Sequence, residues 1–267
     1  MIVLSAALAS SLLSTVAADY PVIGWENLAT SAGLTATEEA SGYPVTNLAN
    51  PSTASVWLGT TTGTQYLTAA IAGGGDVDFV GVARHNFGTA VAAVSIEGDT
   101  GGGFAEIVAA VTPTDDTPLI FRFVPGAYVS VRVKIASATA IPTAAVLYVG
   151  SALVVPRRVY VGHTPINYGR STNVVVGRSE SGNFLGRVVV GSRRETSVTF
   201  SDLSPSWYRA SFEPFVAASV EDPFFFAWRP NEYPDEVGFV WLTSDVQPTN
   251  QRRNGMMQVS LQMGGVA

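Results

Sequence analysis

Short runs in which apolar and polar residues alternate, set between Gly and Pro, are the feature that most restricts the fold of this chain. In residues 128–135 every second side chain is Val or Ile, and in residues 257–263 every second one is Met, Val or Leu. Successive side chains of a β-strand point to opposite faces, so a period of two places one face in a core and the other in water. The chain is therefore predicted to be all-β.

Further strand signals recur at regular spacing, and 26 Gly and 15 Pro supply turns between them. A first group predicts a β-sandwich, and a second group predicts another sheet. The first group comprises residues 65–71, 79–83, 91–97, 119–124, 128–135 and 144–149, and the second comprises residues 187–190, 196–200, 238–242 and 257–263. The glycine triplets at 73–75 and 101–103 are predicted to be hairpin connections, because Gly accepts positive φ at little cost.

One helix is predicted between the strands of the second group. Ser204 is suited to cap it, Pro205 fits its first position, and Pro214 predicts a kink or an early end. Apolar residues recur on one face at helical spacing: Tyr208, Phe212, Phe215 and Val216.

The charge balance changes near Pro156 and suggests a domain boundary. Residues 1–155 hold 4 Lys and Arg against 11 Asp and Glu, giving −7, whereas residues 156–267 hold 11 against 10, giving +1. A chain of 267 residues is long enough for two domains. We predict an extended N-terminal arm over 1–25, a sandwich over 26–155 and a second domain over 156–267. The acidic first half disfavours nucleic-acid recognition.

Composition points to a protein that covers part of its surface with partners. Hydrophobic residues make up 47% of the chain and charged residues 13%, so few side chains are left to solubilise a free surface. Among the 15 basic residues only Lys134 is not Arg, which fits subunit packing as well as solvation. The absence of Cys excludes disulfides and thiolate metal sites.

The first eighteen residues are apolar and small, which raises the question of a signal peptide. No Lys or Arg precedes the apolar run, and Ser interrupts it four times. The run is also too short and too polar to span a bilayer. We therefore expect an uncleaved arm that packs on its own or a neighbouring subunit, with no signal peptide and no membrane insertion.

A search for chemistry gives ligand-binding candidates and no catalytic constellation. The chain has two His, and His163 lies in a turn-like segment. Arg84, His85 and Asn86 lie where a strand opens into a loop, a common position for ligand contacts. A structural interpretation stays open beside this one, with Asn86 forming a tight turn and Arg84 paired.

Other reactive patterns are missing or unspecific. The glycine runs lack the phosphate-loop pattern, no Ser stands in a nucleophile elbow, and no carboxylate pair is distinguished from the others. We predict no catalytic residue, no cofactor and no metal site. A structural calcium remains an alternative at three acid pairs: Asp76 and Asp78, Glu97 and Asp99, and Asp115 and Asp116.

The densest aromatic cluster lies in residues 224–241. It permits two interpretations, a buried strand beneath the helix or a surface that contacts a neighbouring subunit. The predicted subunit-interface residues are Phe224, Phe226, Trp228, Arg229 and Tyr233.

The second half resembles the lambda-type minor tail protein M family. The resemblance rests on residues 177–179, the helix at 204–219, the aromatic strand at 223–230 and the alternating strand at 257–263. It implies a tail-tube-like sandwich or split barrel with one short helix. It also implies a ring of identical subunits, expected to be a hexamer, at the tip of a phage tail. The implied partners are the tail tube and tail-tip hub proteins, and the implied location is the virion.

The first half resembles discoidin-like, galactose-binding-like sandwiches. The resemblance rests on residues 43–51, Trp57, and residues 65–67 and 79–86. Such domains often bind carbohydrate at their loops, so the resemblance implies a contact with host glycans, and Trp57 joins the ligand-binding candidates.

Three functions follow. A virion structural protein is the main hypothesis and a stand-alone carbohydrate-binding module or lectin is the alternative. A hydrolase is the third, and the sequence offers no constellation for it.

Overall fold

The computed structural model describes residues 1–12, 15–136, 138–159 and 161–266. The strands are β1 (Ile2–Leu4), β2 (Val22–Gly24), β3 (Leu34–Ala36), β4 (Trp57–Leu58), β5 (Gln65–Ala83), β6 (Ala93–Asp99), β7 (Phe104–Val111), β8 (Leu119–Ala136), β9 (Thr143–Ala144), β10 (Val146–Gly150), β11 (Leu153–Val154), β12 (Ser171–Arg178), β13 (Phe184–Leu203), β14 (Phe224–Ala227), β15 (Val237–Leu242), β16 (Thr249–Asn250) and β17 (Met257–Val266). The helical segments are α1 (Ala6–Ser11), α2 (Thr15–Ala18), a 3-10 helix (Val45–Ala49), α3 (Pro205–Trp207), a π-helical turn (Tyr208–Phe212) and α4 (Glu213–Ala218). Among these residues the fold is all-β, as predicted, and the predicted helix corresponds to the run from α3 to α4.

The first sheet has the strand order β10-β5-β8-β6-β7, with β1 beside β8 and β3 beside β5. Its two long strands, β5 and β8, each replace two predicted short strands. The triplet at residues 73–75 lies inside β5 at an irregularity in its pairing with β8, so its prediction as a hairpin connection is wrong. Gly73 has φ +82°, a conformation that lets the strand bend without a break. The triplet at 101–103 does connect β6 to β7, as predicted.

The first hydrophobic core fills the sandwich that these bent strands enclose. Strand β8 shows the predicted alternation, since Val131, Val133 and Ile135 are buried, although Val129 is 49% exposed. The small β4–β9 sheet and the 3-10 helix contribute Trp57, Ala144, Val45 and Leu48 to the same core.

The second sheet has the strand order β11-β2-β14-β15-β17-β13-β12, with β16 beside β17. The predicted helix is present, and its side chains Tyr208, Phe212 and Phe215 are buried in a second core against this sheet. It runs through Pro214 because the turn before it is π-helical: the Glu213 N–H donates to the carbonyl of Tyr208, five residues back. Strand β17 alternates as predicted, with Met257, Val259, Leu261 and Met263 buried.

The second sheet is covered on both faces where it meets the first sheet. In β14, Phe224 and Phe226 join the second core, while Phe225 and Ala227 point the other way into a third core. That third core lies between the two sheets, and Phe225 and Phe239 meet Tyr148 there at ring-centroid distances of 5.6 and 5.9 Å. The two halves of the chain therefore share a buried apolar layer.

Two glycines allow the sheets to approach closely. A Cβ atom at Gly24 would lie 2.5 Å from the Phe79 ring, and one at Gly81 would lie 2.6 Å from the Phe225 ring. Both distances are well inside van der Waals contact, so a larger residue forces the sheets apart.

The N-terminal arm packs on its own chain and joins both sheets. Strand β1 pairs in parallel with β8, and β2 pairs with β14 and β11 in the second sheet. Two short helices replace the extended backbone that we expected between these strands. Residues 13 and 14 of the predicted arm lie outside the described residues.

Replacing Gly81 with Ala tests the close approach of the sheets. We expect Gly81→Ala to lower the free energy of unfolding by about 1–3 kcal/mol, because its methyl group overlaps the Phe225 ring. Urea denaturation measures the loss. Gly102→Ala is the matched control, because a Cβ there meets no atom within 4 Å. Equal stability of the two variants would contradict the packing described.

Candidate functional site

The loop after β5 carries three of the four predicted ligand residues. Arg84 is exposed and adopts a left-handed conformation with φ 55°. His85 is buried: its Nε2–H donates to the carbonyl of Thr117 at 2.9 Å, and its Nδ1 accepts the N–H of Phe87 at 3.1 Å. Both ring nitrogens are thus engaged by backbone groups, and burial lowers the pKa of His85 to about 4. The ring serves as a structural link to the neighbouring loop.

The other two predicted ligand residues also make structural contacts. The Asn86 side chain donates to the carbonyl of Ile141 and accepts the N–H of Thr143, both at 2.9 Å. Trp57 is fully buried in the first core, and its Nε1–H donates to the carbonyl of Glu38 at 3.0 Å. Of the four predicted residues, only Arg84 is exposed, and ligand binding by it stays a prediction.

The predicted interface residues divide into two groups. Phe224 and Phe226 are core residues, because alternate side chains of β14 point beneath the helical region, and they offer no surface to a neighbouring subunit. Trp228 and Tyr233 stack in parallel at 5.2 Å, with the Arg229 guanidinium 5.7 and 5.6 Å from their rings. Tyr233 is 39% exposed, so an interface role for this second group stays a prediction.

Acids of all three predicted pairs are engaged within the chain. Asp78 binds Arg122 at 2.6 Å, and Glu97 binds Arg132 and Lys134. Three further acids accept loop hydrogen bonds: Asp99 from Gly101 and Gly103, Asp115 from Thr117, and Asp116 from Thr89. Within the described ranges, no three His, Asp or Glu side chains cluster closely enough to hold a metal ion. In the same ranges, every helix is too short or too polar to cross a membrane.

A two-stranded hairpin projects from the edge of the second sheet. The inner half of β13 pairs with β17, whereas its outer half pairs with β12 only, among the residues described. The turn between the two strands is closed by the Ser179 hydroxyl, which accepts the N–H of Asn183 at 3.0 Å. We call residues 171–193 the projecting hairpin.

The projecting hairpin exposes large apolar side chains on both faces. Val175 opposes Val188 on one face, and Val174 opposes Val189 on the other. The side chains left in solvent are Val175 (61%), Val176 (44%), Phe184 (65%), Leu185 (69%), Val188 (67%), Val189 (55%) and Val190 (62%). Contiguous apolar surface of this kind marks a site of association. The projecting hairpin is the strongest candidate functional site of the chain.

Sequence reasoning missed this surface. Only residues 187–190 were predicted as a strand, and β12 was not predicted. A signal was present in the two valine runs at 174–176 and 188–190, because an unbroken apolar run in a strand predicts burial on both faces. The sequence could not reveal that the described part of the chain leaves both faces largely in solvent.

A crevice of about 300 Å³ lies between the first sheet and the helical region. We call it the Trp25 crevice, since the half-buried indole of Trp25 lines it with Asn27, Tyr148 and Asp222. Trp25 also packs against Phe215, with ring centroids 6.3 Å apart. An aromatic plane beside carboxylate and amide groups is chemistry that suits a small polar ligand.

Comparisons with known proteins bear on the fold alone. No family model matches the chain, and no curated protein matches it. Among solved structures, the chitosan-binding module 1 of a chitosanase/glucanase from Paenibacillus sp. IK-5 is similar at 15% identity and a TM-score of 0.42, over 47% of this chain and 99% of that one. The family 32 carbohydrate-binding module of Clostridium perfringens NanJ, solved with galactose, is similar at 16% identity and a TM-score of 0.41, over 48% and 98% of the two chains. Both likenesses have TM-scores below 0.5 and extend over about half of this chain.

The all-β fold predicted for the first half is confirmed by the chain's own strands, since the first sheet and the small β4–β9 sheet share the first core. The resemblance of the second half to the lambda-type tail protein M finds no match among family models or curated proteins and stays a prediction.

The low pKa of His85 makes the free energy of unfolding depend on pH. Because its folded pKa lies near 4 and its unfolded value near 6.5, the unfolded chain takes up the proton first. The stability that neutral His85 contributes is fully present above pH 6.5 and is lost as the pH falls toward 4, by about 3 kcal/mol. Urea denaturation at pH 7.5 and 4.5 should show a smaller loss for His85→Gln than for the parent chain. An identical loss would show that His85 is not buried as described.

Proposed function

We propose that this chain is a non-enzymatic structural subunit that assembles with copies of itself. In the setting that the sequence resemblance implies, the assembly is a ring at the tip of a phage tail, in contact with tail-tube and hub proteins in the virion. The observation that carries the proposal is the projecting hairpin, which exposes apolar side chains on both faces among the residues that the structure describes.

The energetics of the projecting hairpin support self-assembly. A two-stranded hairpin without a covering layer is at best marginally stable in water. Burying one Val or Leu side chain stabilises a contact by roughly 1.5–3 kcal/mol. Seven exposed apolar side chains on one short hairpin therefore favour an assembled state in which another surface covers them.

Charge also favours an assembly role over nucleic-acid binding. The projecting hairpin contains Arg178, Arg187 and Arg193 against Glu180, a net charge of +2, whereas residues 1–155 carry −7. The whole chain is acidic at −6, which disfavours a phosphate backbone as its partner.

A second candidate function is carbohydrate binding, and the Trp25 crevice is the observation that favours it. The indole offers an apolar face, and Asn27 and Asp222 line the same space of about 300 Å³. Sugars present apolar C–H faces and hydroxyl groups, which match an aromatic plane flanked by polar side chains. The solved modules named above bind chitosan or were solved with galactose; for this chain, the proposal rests on the crevice.

Self-assembly is tested by making the projecting hairpin more polar without lowering its β-propensity. Thr has nearly the shape of Val, but each hydroxyl buried without a partner costs about 1–3 kcal/mol. Val175→Thr combined with Val188→Thr should weaken self-association at least roughly tenfold. Mass photometry and sedimentation velocity of the full chain over a range of concentrations measure the change.

The matched control places the same change at exposed valines elsewhere, Val129→Thr with Val161→Thr. It should associate as the parent chain does, and electron microscopy of the parent should show closed rings. A parent chain that stays monomeric at every concentration would refute the proposed function.

Carbohydrate binding is tested with a glycan array probed by the full chain. We expect Trp25→Ala to lose any signal, because it removes the aromatic plane, and Trp241→Ala to keep it, because that 44% exposed indole does not line the crevice. Thermal unfolding of both variants checks that they fold. A silent array, or a signal that survives Trp25→Ala, excludes the crevice as a sugar site.

A further inference from the structure

A groove beside α4 is another surface that the second half of the chain leaves open. It encloses about 330 Å³ between the end of the helical region and the turn after β15. Val216, Val220, Leu242 and Val246 line it, and Val220 is 72% exposed. We call it the α4 groove. It is concave, and its four apolar side chains lie beside Thr243, Ser244 and Asp245, whereas the projecting hairpin protrudes and exposes mainly apolar side chains.

The charges of the two surfaces are complementary. Asp245 lines the α4 groove, and Glu221 follows the groove residue Val220 and is exposed. The projecting hairpin carries three arginines against one glutamate. Arg193 at its base already pairs with Glu195, so the positive charge that it offers to a partner is that of Arg178 and Arg187. A contact between the hairpin and the groove therefore pairs opposite charges around an apolar centre, an arrangement that favours one orientation of docking.

Within one chain, the projecting hairpin and the α4 groove do not pack against each other. Val188 on the projecting hairpin is 67% exposed while Val220 in the groove is 72% exposed, so neither surface covers the other. A second copy of the same chain offers both what the groove lacks, a protruding apolar and basic surface, and what the hairpin lacks, a concave surface with acidic residues.

We infer that the projecting hairpin of one copy docks into the α4 groove of a second copy, with its valines in the groove and its arginines beside Asp245 and Glu221. This inference rests on the proposed self-assembly and names the surface that receives the hairpin. The two contacting surfaces differ, so each copy offers one hairpin and one groove. Repetition of such a head-to-tail contact builds a ring when the rotation closes.

The competing arrangement pairs the hairpins of two copies with each other. It would bring two net charges of +2 together and leave the α4 groove empty. Opposed arginines repel each other in such a contact, so charge favours the head-to-tail arrangement.

A mixing experiment separates these arrangements. The hairpin variant is Val175→Thr with Val188→Thr, and the groove variant is Val220→Arg with Asp245→Arg. Both groove positions are exposed, so their substitution should leave the fold intact, as thermal unfolding will check. Each variant alone should associate roughly tenfold more weakly than the parent, so at the lowest concentration where the parent assembles it should be mainly monomeric. An equal mixture should give a complex of two chains and nothing larger, because each pair retains one intact hairpin and one intact groove.

The control for the added charge is Val161→Arg with Asp76→Arg, an identical change at exposed positions outside the groove, which should assemble as the parent does. A groove variant that assembles like the parent overturns the inference while the proposed function stands. A mixture in which both variants stay monomeric also overturns it. A parent chain that never associates refutes the proposed function and the inference together.

Discussion

The buried contact between the two sheets is the constraint on which the rest of this structure depends. Phe225 and Phe239 of the second sheet meet Tyr148 of the first, and Gly81 permits this approach because a side chain there would occupy the space of the Phe225 ring. Strand β14 is covered on both faces, by the helical region on one and by the first sheet on the other. This contact fixes the position of the second half of the chain relative to the first. The crevice at Trp25 exists because the helical region and the first sheet are held on either side of this layer.

The contrast between β14 and the projecting hairpin explains where function lies. Both are apolar without alternation, and both therefore require cover on two faces. For β14 the chain supplies that cover, from the helical region on one face and the first sheet on the other. For the hairpin no described element supplies such cover, and Val175 and Val188 remain in solvent. An apolar strand without cover inside its own chain is what a subunit of an assembly presents.

The sequence predicted the strands that have one buried face and one face in solvent. The alternation in β17 and the helical spacing through Phe215 are local patterns, and both were interpreted correctly. Prediction failed where pairing over long distances decides the outcome. The glycines at 73–75 bend β5 because β8 runs beside them, whereas the equivalent triplet at 101–103 has no such partner and forms a turn. The ligand candidate His85 became a structural residue through contact with Thr117, 32 positions away.

By itself, the sequence determined the alternation of its half-buried strands, the spacing of its helix, the absence of Cys and the charge difference between its halves. Only the tertiary structure decided which apolar residues are covered. The physical reason is that the tendency to form a strand is set by residues adjacent in sequence, whereas burial requires packing against residues that are distant in sequence. Phe224 and Val188 carry the same local signal; one lies in the core and the other in water.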